Sequence, residues 1–405
     1  MPPDPAKAIR DTLDRIAPHG TLGVAVSGGG DSLALLHITA DWAGPQRRIE
    51  AATVDHNLRP ESQAEAMMVG EQARALGIPH EILNWTPETH GNLQANARQA
   101  RLDLLSQWAA RRGLSAVLLA HTQDDQAETL LMRLARGSGL DGLSGMAEAR
   151  TAQGILWLRP ALEVSRESLR DWLRRRGLTW AEDPSNQNPE YERVRIRQTM
   201  AALALDPAML ARSATNLRRA RASLDQIAAD WLTRARVHAS ASLTLPPMQD
   251  APPEIIRRCL LTALRWLTGA DYPPRETATA AALAQIAAGH RATLDGALLA
   301  PGTNGLRMLR EPAAAARAVA VTGGIWDNRW RVDDLPPGQE WRALGHAPLP
   351  DLPWREAGLT RDEAASLPAI WSGPDLVAAP LLSGDKSTAK PLRTGKDLLS
   401  MLGTH

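Results

Sequence analysis

A chain of 405 residues is long enough to form two or three domains, each with a core of its own. Hydrophobic residues make up 44% of the chain and charged residues 22%, and no apolar run approaches the length of a membrane span, so the composition indicates a soluble globular protein without membrane partners. The formal net charge of +1 excludes a uniformly basic nucleic-acid-binding chain.

The cysteine content and the start of the chain limit the possible kinds of metal site and the expected cellular compartment. Cys259 is the single cysteine, which excludes an internal disulfide and any metal site made of cysteines alone. It stands in a helical pattern and is expected to be a buried apolar side chain. The first residues lack a basic stretch followed by an apolar core, so we expect no secretory signal and a cytoplasmic protein.

The first part of the chain alternates strand and helix patterns. Apolar spacing predicts a helix over residues 5–17. Strands are predicted at Thr21–Ser27, Ile49–Asp55, His80–Asn84 and Ala116–Ala120, and helices at Asp31–Trp42, Glu61–Leu76, Leu93–Arg111 and Asp124–Ala135. Repeated strand–helix units predict an α/β fold with a doubly wound parallel sheet and ligands at the carboxyl ends of its strands.

Beyond Leu205 the pattern changes. Long helical stretches at residues 207–236, 253–268 and 277–288 predict a mainly helical domain over residues 206–311. Pro312–Arg317 is interpreted as a boundary. Short strand signals at Ala318–Val321, Arg329–Val332 and Ala369–Trp371 predict a small mixed domain over residues 318–405.

Basic residues are distributed unevenly. Between Thr151 and Arg236 there are 15 Arg against 10 Asp and Glu, which suggests a polyanionic partner, although any one arginine alone is better explained as part of a solvated helix face. A second basic cluster near the chain end would suit phosphates, with a solvated tail as the alternative: Lys386, Lys390, Arg393 and Lys396.

Three consecutive glycines follow the first predicted strand. The segment Ser27-Gly28-Gly29-Gly30-Asp31-Ser32 leads from a β-branched run into a helix pattern. Glycines let the backbone approach a ligand closely, and the free amides of a helix N-terminus attract anions, so the loop is predicted to bind phosphate. It lacks the Lys-Ser or Lys-Thr pair of a Walker loop and the spaced glycines of a dinucleotide fingerprint.

The fourth predicted strand ends in a concentration of acids. His121 is followed by Asp124, Asp125 and Glu128, which lie within one turn of the next helix. Acids in a first turn can simply complement the helix dipole. Three acids and a histidine in the same sheet as an anion loop favour a site for Mg²⁺ or a cationic substrate.

Together these segments resemble the N-type ATP pyrophosphatases of the PP-loop superfamily, and within it the tRNA(Ile)-lysidine synthetases. The resemblance rests on the glycine loop and on further motifs in the family's order, with Val194 standing where the family usually has Asn: Val54-Asp55-His56-x-Leu58-Arg59, His121-x-x-Asp124-Asp125-Gln126-x-Glu128-Thr129, Arg136-Gly-x-Gly-x-x-Gly142-Leu143-x-Gly145, Arg159-Pro160, Trp180-x-x-Asp183-x-Ser185-Asn186 and Tyr191-x-Arg193-x-Arg195-Ile196-Arg197.

The resemblance implies an adenine nucleotide α-hydrolase-like catalytic domain at residues 1–205, followed by tRNA-binding domains. It implies that ATP and Mg²⁺ activate carbon 2 of the wobble cytidine of a CAU-anticodon tRNA(Ile) as an adenylate. The ε-amine of free lysine then displaces AMP and gives lysidine.

The site residues follow from the same resemblance, read beside their chemistry. ATP is expected on Ser27, Gly28, Gly29, Gly30, Asp31 and Ser32, with Val54 and Asp55 beside the adenine and Asp31 as a ligand of Mg²⁺. Catalytic roles are expected for Asp31, His121 and Asp124. Lysine is expected on Arg101, Asp125 and Glu128, and tRNA on Arg193 and Arg197. Which acid takes the metal and which the amine stays open.

Two other functions are weighed. A tRNA thiolase would use the same ATP loop but needs reactive or cluster-binding cysteines, which Cys259 alone does not supply. A nucleotide-binding module without catalysis would need the glycine loop but not the three acids. The sequence leaves the oligomeric state open, with a homodimer among the options.

Overall fold

The computed structural model describes residues 4–56, 61–86, 93–182, 188–270, 272–383 and 388–402. The chain forms two compact units, residues 1–221 and 222–405. Six residues of the sequence motifs and of the basic tail lie outside the described residues, namely Leu58, Arg59, Asp183, Ser185, Asn186 and Lys386.

The first unit is built around a six-stranded sheet. Its strands are β1 (Leu22–Ala25), β2 (Ile49–Asp55), β3 (His80–Asn84), β4 (Ala116–Leu118), β5 (Ala149–Ala152) and β6 (Ile155–Leu158). The order across the sheet is β3-β2-β1-β4-β6-β5, and neighbours are parallel except β5, which is antiparallel to β6.

Helices accompany these strands along the chain. They are α1 (Pro5–Ile16), α2 (Gly30–Ala43), α3 (Glu61–Ala75), α4 (Leu93–Arg112), α5 (Gln123–Ala135), α6 (Leu140–Leu143), α7 (Arg166–Arg175), α8 (Glu192–Ala202) and α9 (Pro207–Leu232), the last of which continues into the second unit. None of the described helices is long and apolar enough to cross a membrane.

Both faces of this sheet are buried by helices. Along β4, Ala116 and Leu118 pack into a core shared with α1, α2 and α7, while Val117 packs with α4 on the opposite face. A strand that is buried on both faces has a nearly continuous apolar sequence, as β1 and β4 have. The predicted doubly wound parallel fold is confirmed.

Gly23 in β1 allows one of these helices to approach closely. A Cβ atom at this position would lie 2.7 Å from the ring of Trp108 on α4. A side chain larger than hydrogen would therefore push α4 off the sheet. The approach seats the fully buried Trp108 over the middle of the sheet.

The second unit combines helices with three antiparallel sheets. Its helices are α10 (Pro253–Thr268), α11 (Glu276–Ala287), α12 (Pro312–Ala316), α13 (Arg361–Ala365), α14 (Pro380–Ser383) and α15 (Gly395–Ser400). Its strands are β7 (Arg236–Val237), β8 (Leu243–Leu245), β9 (Ala292–Leu294), β10 (Ala297–Gly302), β11 (Gly305–Arg310), β12 (Gly324–Trp326), β13 (Trp330–Val332), β14 (Glu340–Ala343), β15 (Pro368–Ser372), β16 (Asp375–Ala378) and β17 (Ala389–Pro391).

The sequence predicted α10 and α11 of this unit but neither its shorter helices nor its largest sheet, and the predicted boundary at Pro312–Arg317 contains α12. That sheet has the order β7-β8-β11-β10-β9 and packs against α10 and α11. The predicted strand at 318–321 is wrong apart from one isolated bridge between Val321 and Trp341. The smaller sheets are β12-β13-β17 and β14-β15-β16. The predicted division into domains at residues 205, 311 and 318 stays a prediction.

Candidate active site

The strand order places a crevice between β1 and β4. From β1 the chain continues to β2 and β3 on one side, whereas β4 and β6 lie on the other side. Ligands of open α/β sheets bind where the order reverses in this way, outside the carboxyl ends of the strands. The glycine loop follows β1 at this edge, and the segment from His121 to Asp125 follows β4.

The glycine loop has the geometry of an anion site. Gly28 has a φ of +87°, which a residue with a side chain rarely adopts, and its carbonyl accepts a hydrogen bond of 3.0 Å from the amide of Ala181. Ser32 Oγ donates to the carbonyl of Gly29 at 2.9 Å and accepts from the amide of Ser27 at 3.1 Å. Helix α2 begins at Gly30 without a side-chain cap, which leaves its first amides available to a phosphate.

Asp125 is fixed by the start of α5. Its Oδ2 accepts hydrogen bonds from the amide and the hydroxyl of Thr122 at 2.8 and 2.9 Å, and the amide of Asp125 donates to the Thr122 hydroxyl in return. This capping box is encoded by the Thr-x-x-Asp spacing. It points Oδ1 of Asp125 into the crevice, where two guanidiniums contact it.

The first of these guanidiniums belongs to Arg166, the first residue of α7. Its Nε donates to Asp31 Oδ2 at 2.9 Å and its Nη2 donates to Asp125 Oδ1 at 3.2 Å, while Nη1 lies 3.6 Å from Glu128 Oε1. The Arg166 side chain therefore bridges the glycine loop and the acidic turn, by which we mean the start of α5 with Asp124, Asp125 and Glu128. Although burial alone would lower the pKa of Arg166, the charges of Asp125 and Asp31 raise it above its ordinary value.

Two arginines of α8 complete the cluster. Arg197 Nε donates to Glu128 Oε1 at 2.5 Å, with Nη2 3.4 Å from the other oxygen, and Glu128 is fully buried. Arg193 Nη1 lies 3.6 Å from Asp125 Oδ1. Both were predicted to bind tRNA, and the structure adds that each neutralises an acid of the site. Burial raises the pKa of Asp125, but Arg166 and the Thr122 amide outweigh it and the pKa is lowered.

Asp31 keeps one oxygen unused. Its Oδ1 is buried and has no hydrogen-bond partner among the described residues. Burial raises the pKa of this carboxyl, and Arg166 only partly offsets the effect. In the described parts of the chain no three His, Cys, Asp or Glu side chains are grouped to hold a metal ion. A cation on Asp31 would therefore draw its other ligands from phosphate oxygens and water.

His121 follows the end of β4 and is contacted by Arg159. Burial and the charges of Arg159, Arg101 and Arg193 lower its pKa to about 3, against an opposing effect of Asp125. Its Nδ1 accepts a hydrogen bond of 3.3 Å from Arg159 Nε, so the ring hydrogen is on Nε2. The catalytic role predicted for His121 stays a prediction, and a pKa this low favours a neutral ring that donates a hydrogen bond.

Asp124 and Val164 tie the two loops of the crevice together. Asp124 Oδ2 accepts from the amide of Arg166 at 2.8 Å, and the carbonyl of Val164 accepts from the amide of Gln123 at 2.9 Å. Asp124 was predicted to be catalytic. In this geometry it holds the start of α7, and with it the backbone of Arg166, against the loop that follows β4.

The remaining predicted residues border the crevice from β2 and α4. The register pairs Ala25 with Ala52, so Val54 and Asp55 end β2 beside Ser27. Asp55 accepts a hydrogen bond of 2.7 Å from Ser62. Burial and then the charge of Arg101 lower the pKa of His56, which places Arg101 near both His56 and His121.

Arg166 is the residue that the sequence analysis did not identify. It is 135 positions from Asp31 and 41 from Asp125, and it belongs to none of the motifs. The available signal was Ser165, whose hydroxyl caps α7 and makes Arg166 the first helical residue after β6. A cation at the start of a helix is unfavourable for the dipole, which suggests another reason for its position.

Known proteins resemble this chain over most of its length. The PP-loop domain family matches residues 5–203. A tRNA(Ile)-lysidine synthase of Ruegeria pomeroyi is 43% identical over 401 residues, which cover 96% of this chain and 95% of the relative. Those of Bradyrhizobium sp. and Bradyrhizobium diazoefficiens are 46% identical over 52% of this chain and 40% identical over 75% of it, respectively, and the matches cover 61% and 88% of those relatives. The chain belongs to the tRNA(Ile)-lysidine synthase family of PP-loop proteins.

Proposed function

We propose that the chain ligates lysine to carbon 2 of the wobble cytidine in a CAU-anticodon tRNA(Ile), with ATP as the activating substrate. The reaction passes through an adenylated cytidine and releases pyrophosphate and then AMP. One observation carries the proposal beyond family membership. Arg166 contacts both Asp31 in the glycine loop and Asp125 in the acidic turn, so a nucleotide site and an amine site share one wall of the crevice.

The nucleotide is held at the end of β1. The amides at the start of α2 and the hydroxyls of Ser27 and Ser32 bind the phosphates, and Val54 and Asp55 border the adenine. The unpartnered Oδ1 of Asp31 fits a Mg²⁺ ligand, because Mg²⁺ takes one or two carboxylates together with substrate phosphates. When bound, the ion neutralises charge that develops on the leaving pyrophosphate.

Lysine is held by the acidic turn. Asp125 Oδ1 is the acceptor for an ammonium group, since Oδ2 is committed to the cap with Thr122. Glu128 contributes negative charge while Arg197 fixes its position. Arg101 provides the positive charge for the lysine carboxylate. The neutral His121 offers its Nε2–H as a hydrogen-bond donor, and it is too weak a base to deprotonate the attacking amine.

The reaction can be tested directly. Purified protein is incubated with ATP, Mg²⁺, radiolabelled lysine and a tRNA(Ile) transcript with a CAU anticodon, and the RNA is digested to nucleosides. We expect label in a modified cytidine and one AMP per lysine incorporated. A transcript that carries uridine at the wobble position is the matched control and should stay unlabelled. Equal labelling of both transcripts, or none in either, would refute the proposal.

The thiolase alternative is disfavoured by the position of the cysteine. Cys259 is fully buried in α10, and its Sγ lies 3.6 Å from the carbonyl of Ala228. Burial raises the pKa of its thiol to about 12. Nucleophilic sulfur chemistry requires an accessible thiolate, which this residue does not provide.

A further inference from the structure

Arg166 occupies the position that the proposed function assigns to Mg²⁺ and to the ammonium group of lysine. Its guanidinium contacts Asp31, Asp125 and Glu128, which are the acids expected to hold Mg²⁺ and lysine. Its side chain is only 20% exposed. A free lysine ammonium therefore finds Oδ1 of Asp125 already paired with a buried internal cation.

The backbone of Arg166 is held firmly while its side chain is long. The Arg166 amide donates to Asp124, and the Ser165 hydroxyl caps the helix that follows. The guanidinium, however, sits at the end of four rotatable bonds, and its contacts with Asp125 and Glu128 are longer than its contact with Asp31. The side chain can turn towards Asp31 without any movement of α7.

The Arg166 guanidinium can move to the neighbouring anion site of the glycine loop. Asp31 is the second residue of α2, within the turn whose amides face the phosphates. A triphosphate on that turn presents several negative charges beside the Nε of Arg166, and arginine binds phosphate oxygens with two parallel hydrogen bonds. Asp31, if it becomes a metal ligand, gives up its contact with the guanidinium.

We propose that Arg166 is a positioning residue that blocks the lysine site in the nucleotide-free enzyme and turns towards the triphosphate when ATP binds. The inference rests on the proposed function. It makes nucleotide binding a condition for tight lysine binding. This order prevents free lysine from occupying the crevice before a cytidine can be activated.

The movement also changes which charges face Asp125. Arg166 Nη2 and Arg193 Nη1 lie 3.2 and 3.6 Å from its Oδ1, so two guanidiniums compete with an ammonium group for this oxygen. Once Arg166 has turned away, the guanidinium of Arg193 remains beside Oδ1, and Arg101 is left for the lysine carboxylate.

The test measures lysine affinity by calorimetry, with and without Mg²⁺ and α,β-methylene ATP, which binds but cannot be cleaved between its α and β phosphates. For the wild-type protein we expect the analogue to tighten lysine binding at least about tenfold, within the usual range of coupling between two sites. Equal lysine affinity in the two states would overturn the inference, whatever the variants do.

The Arg166→Gln variant then assigns the coupling to this residue. We expect nucleotide-free Arg166→Gln to bind lysine at least about tenfold tighter than nucleotide-free wild type, with little further change on adding the analogue. Arg166→Lys keeps a cation and should keep low affinity without nucleotide. Arg175→Gln is the matched control, because Arg175 is exposed on the same helix. Weaker lysine binding by Arg166→Gln in both states alike would also overturn the inference.

Failure of the proposed function would be visible in a different measurement. If wild-type protein does not label the tRNA with lysine, the reaction itself is misassigned and the inference falls with it. If the tRNA is labelled but lysine affinity ignores the nucleotide, only the role of Arg166 is wrong.

Discussion

His121 illustrates how burial at the residue scale decides chemistry. An exposed histidine would be partly charged near neutral pH, whereas Arg159, Arg101 and Arg193 surround this ring and burial withdraws it from water. Its pKa of about 3 leaves a neutral side chain that donates through Nε2. The sequence places a histidine at the end of β4 but does not reveal the charges that face it, because they come from α4, α8 and the end of β6.

Because the pKa of His121 is lowered in the folded protein, we expect the free energy of unfolding to depend on pH. Between about pH 6.5 and pH 3 the unfolded chain binds a proton at His121 and the folded chain does not, so stability is fully present above pH 6.5 and falls as the pH falls through this window. The free energy of unfolding in urea should therefore drop less between pH 7.5 and pH 5 for His121→Asn than for wild type. His19→Asn, at an exposed histidine, is the control. Equal slopes for wild type and His121→Asn would contradict the burial argument.

The proposed function makes Asp125 the residue on which lysine selection depends. Asp125→Asn keeps the shape and the acceptor for Thr122 but removes the charge that faces the ammonium group. A hydrogen bond to a charged group contributes about 1.5–3 kcal/mol, so we expect the KM for lysine to rise about 10-fold to 100-fold and the KM for ATP to change much less. Steady-state titration of both substrates measures this, with the exposed Asp171→Asn as control. Equal losses for both substrates would identify Asp125 as a metal ligand instead.

At the element scale, the sequence predicted the first unit well and for a physical reason. The strands β2 and β3 have the predicted bounds, and the first five helices are correct to within one residue at each end, because a parallel sheet buried on both faces imposes long and regular apolar patterns. The acids after β4 and the loop after β1 then meet at one edge by topology alone. Arg166 was missed because its position depends on where α7 begins, far along the chain.

The antiparallel strands β9 to β11 were missed because their short Ala- and Leu-rich sequences do not distinguish a strand from a segment of helix. Their turns nevertheless leave a sequence signal. Asp295 and Gly296, between β9 and β10, have φ values of +49° and +73°, as a two-residue hairpin turn requires. Asp-Gly is a strong signal for such a turn.

Gly28 carries a prediction about the loop as an element. Its φ of +87° makes Gly28→Ala strained by about 1–2 kcal/mol, and relief of that strain would move the amides to which we assign the phosphates. We expect the KM for ATP to rise at least about fivefold. Gly113→Ala is the matched control, since Gly113 has a φ of +62° and lies before β4, at the opposite edge of the sheet. Loss of stability in both variants, but loss of ATP binding only in Gly28→Ala, is the expected outcome. An unchanged KM for ATP in Gly28→Ala would contradict the assignment.

At the scale of the whole molecule, the arginines between Thr151 and Arg236 form two groups, those paired with acids and those exposed to solvent. Arg166, Arg193 and Arg197 neutralise buried acids of the site, and Arg174 pairs with Glu167 and Asp171 on α7. Arg212 of α9 is exposed instead. A count of charges overstates the basic surface, because it does not separate paired arginines from those that face solvent.

The exposed arginines still predict how binding of tRNA responds to salt. Each phosphate contact releases a counterion, so tRNA affinity should fall at least about a hundredfold between about 50 and 200 mM salt, whereas lysine affinity in the buried cluster should change much less. Filter binding of labelled tRNA(Ile) gives the slope of log affinity against log salt. Replacing Arg212 by Gln should reduce that slope by about 1, while Lys7→Gln, outside the arginine-rich segment, should leave it unchanged. A wild-type affinity that is flat over this range would mean that α9 does not contact phosphates, and that the arginine excess serves the folded structure alone.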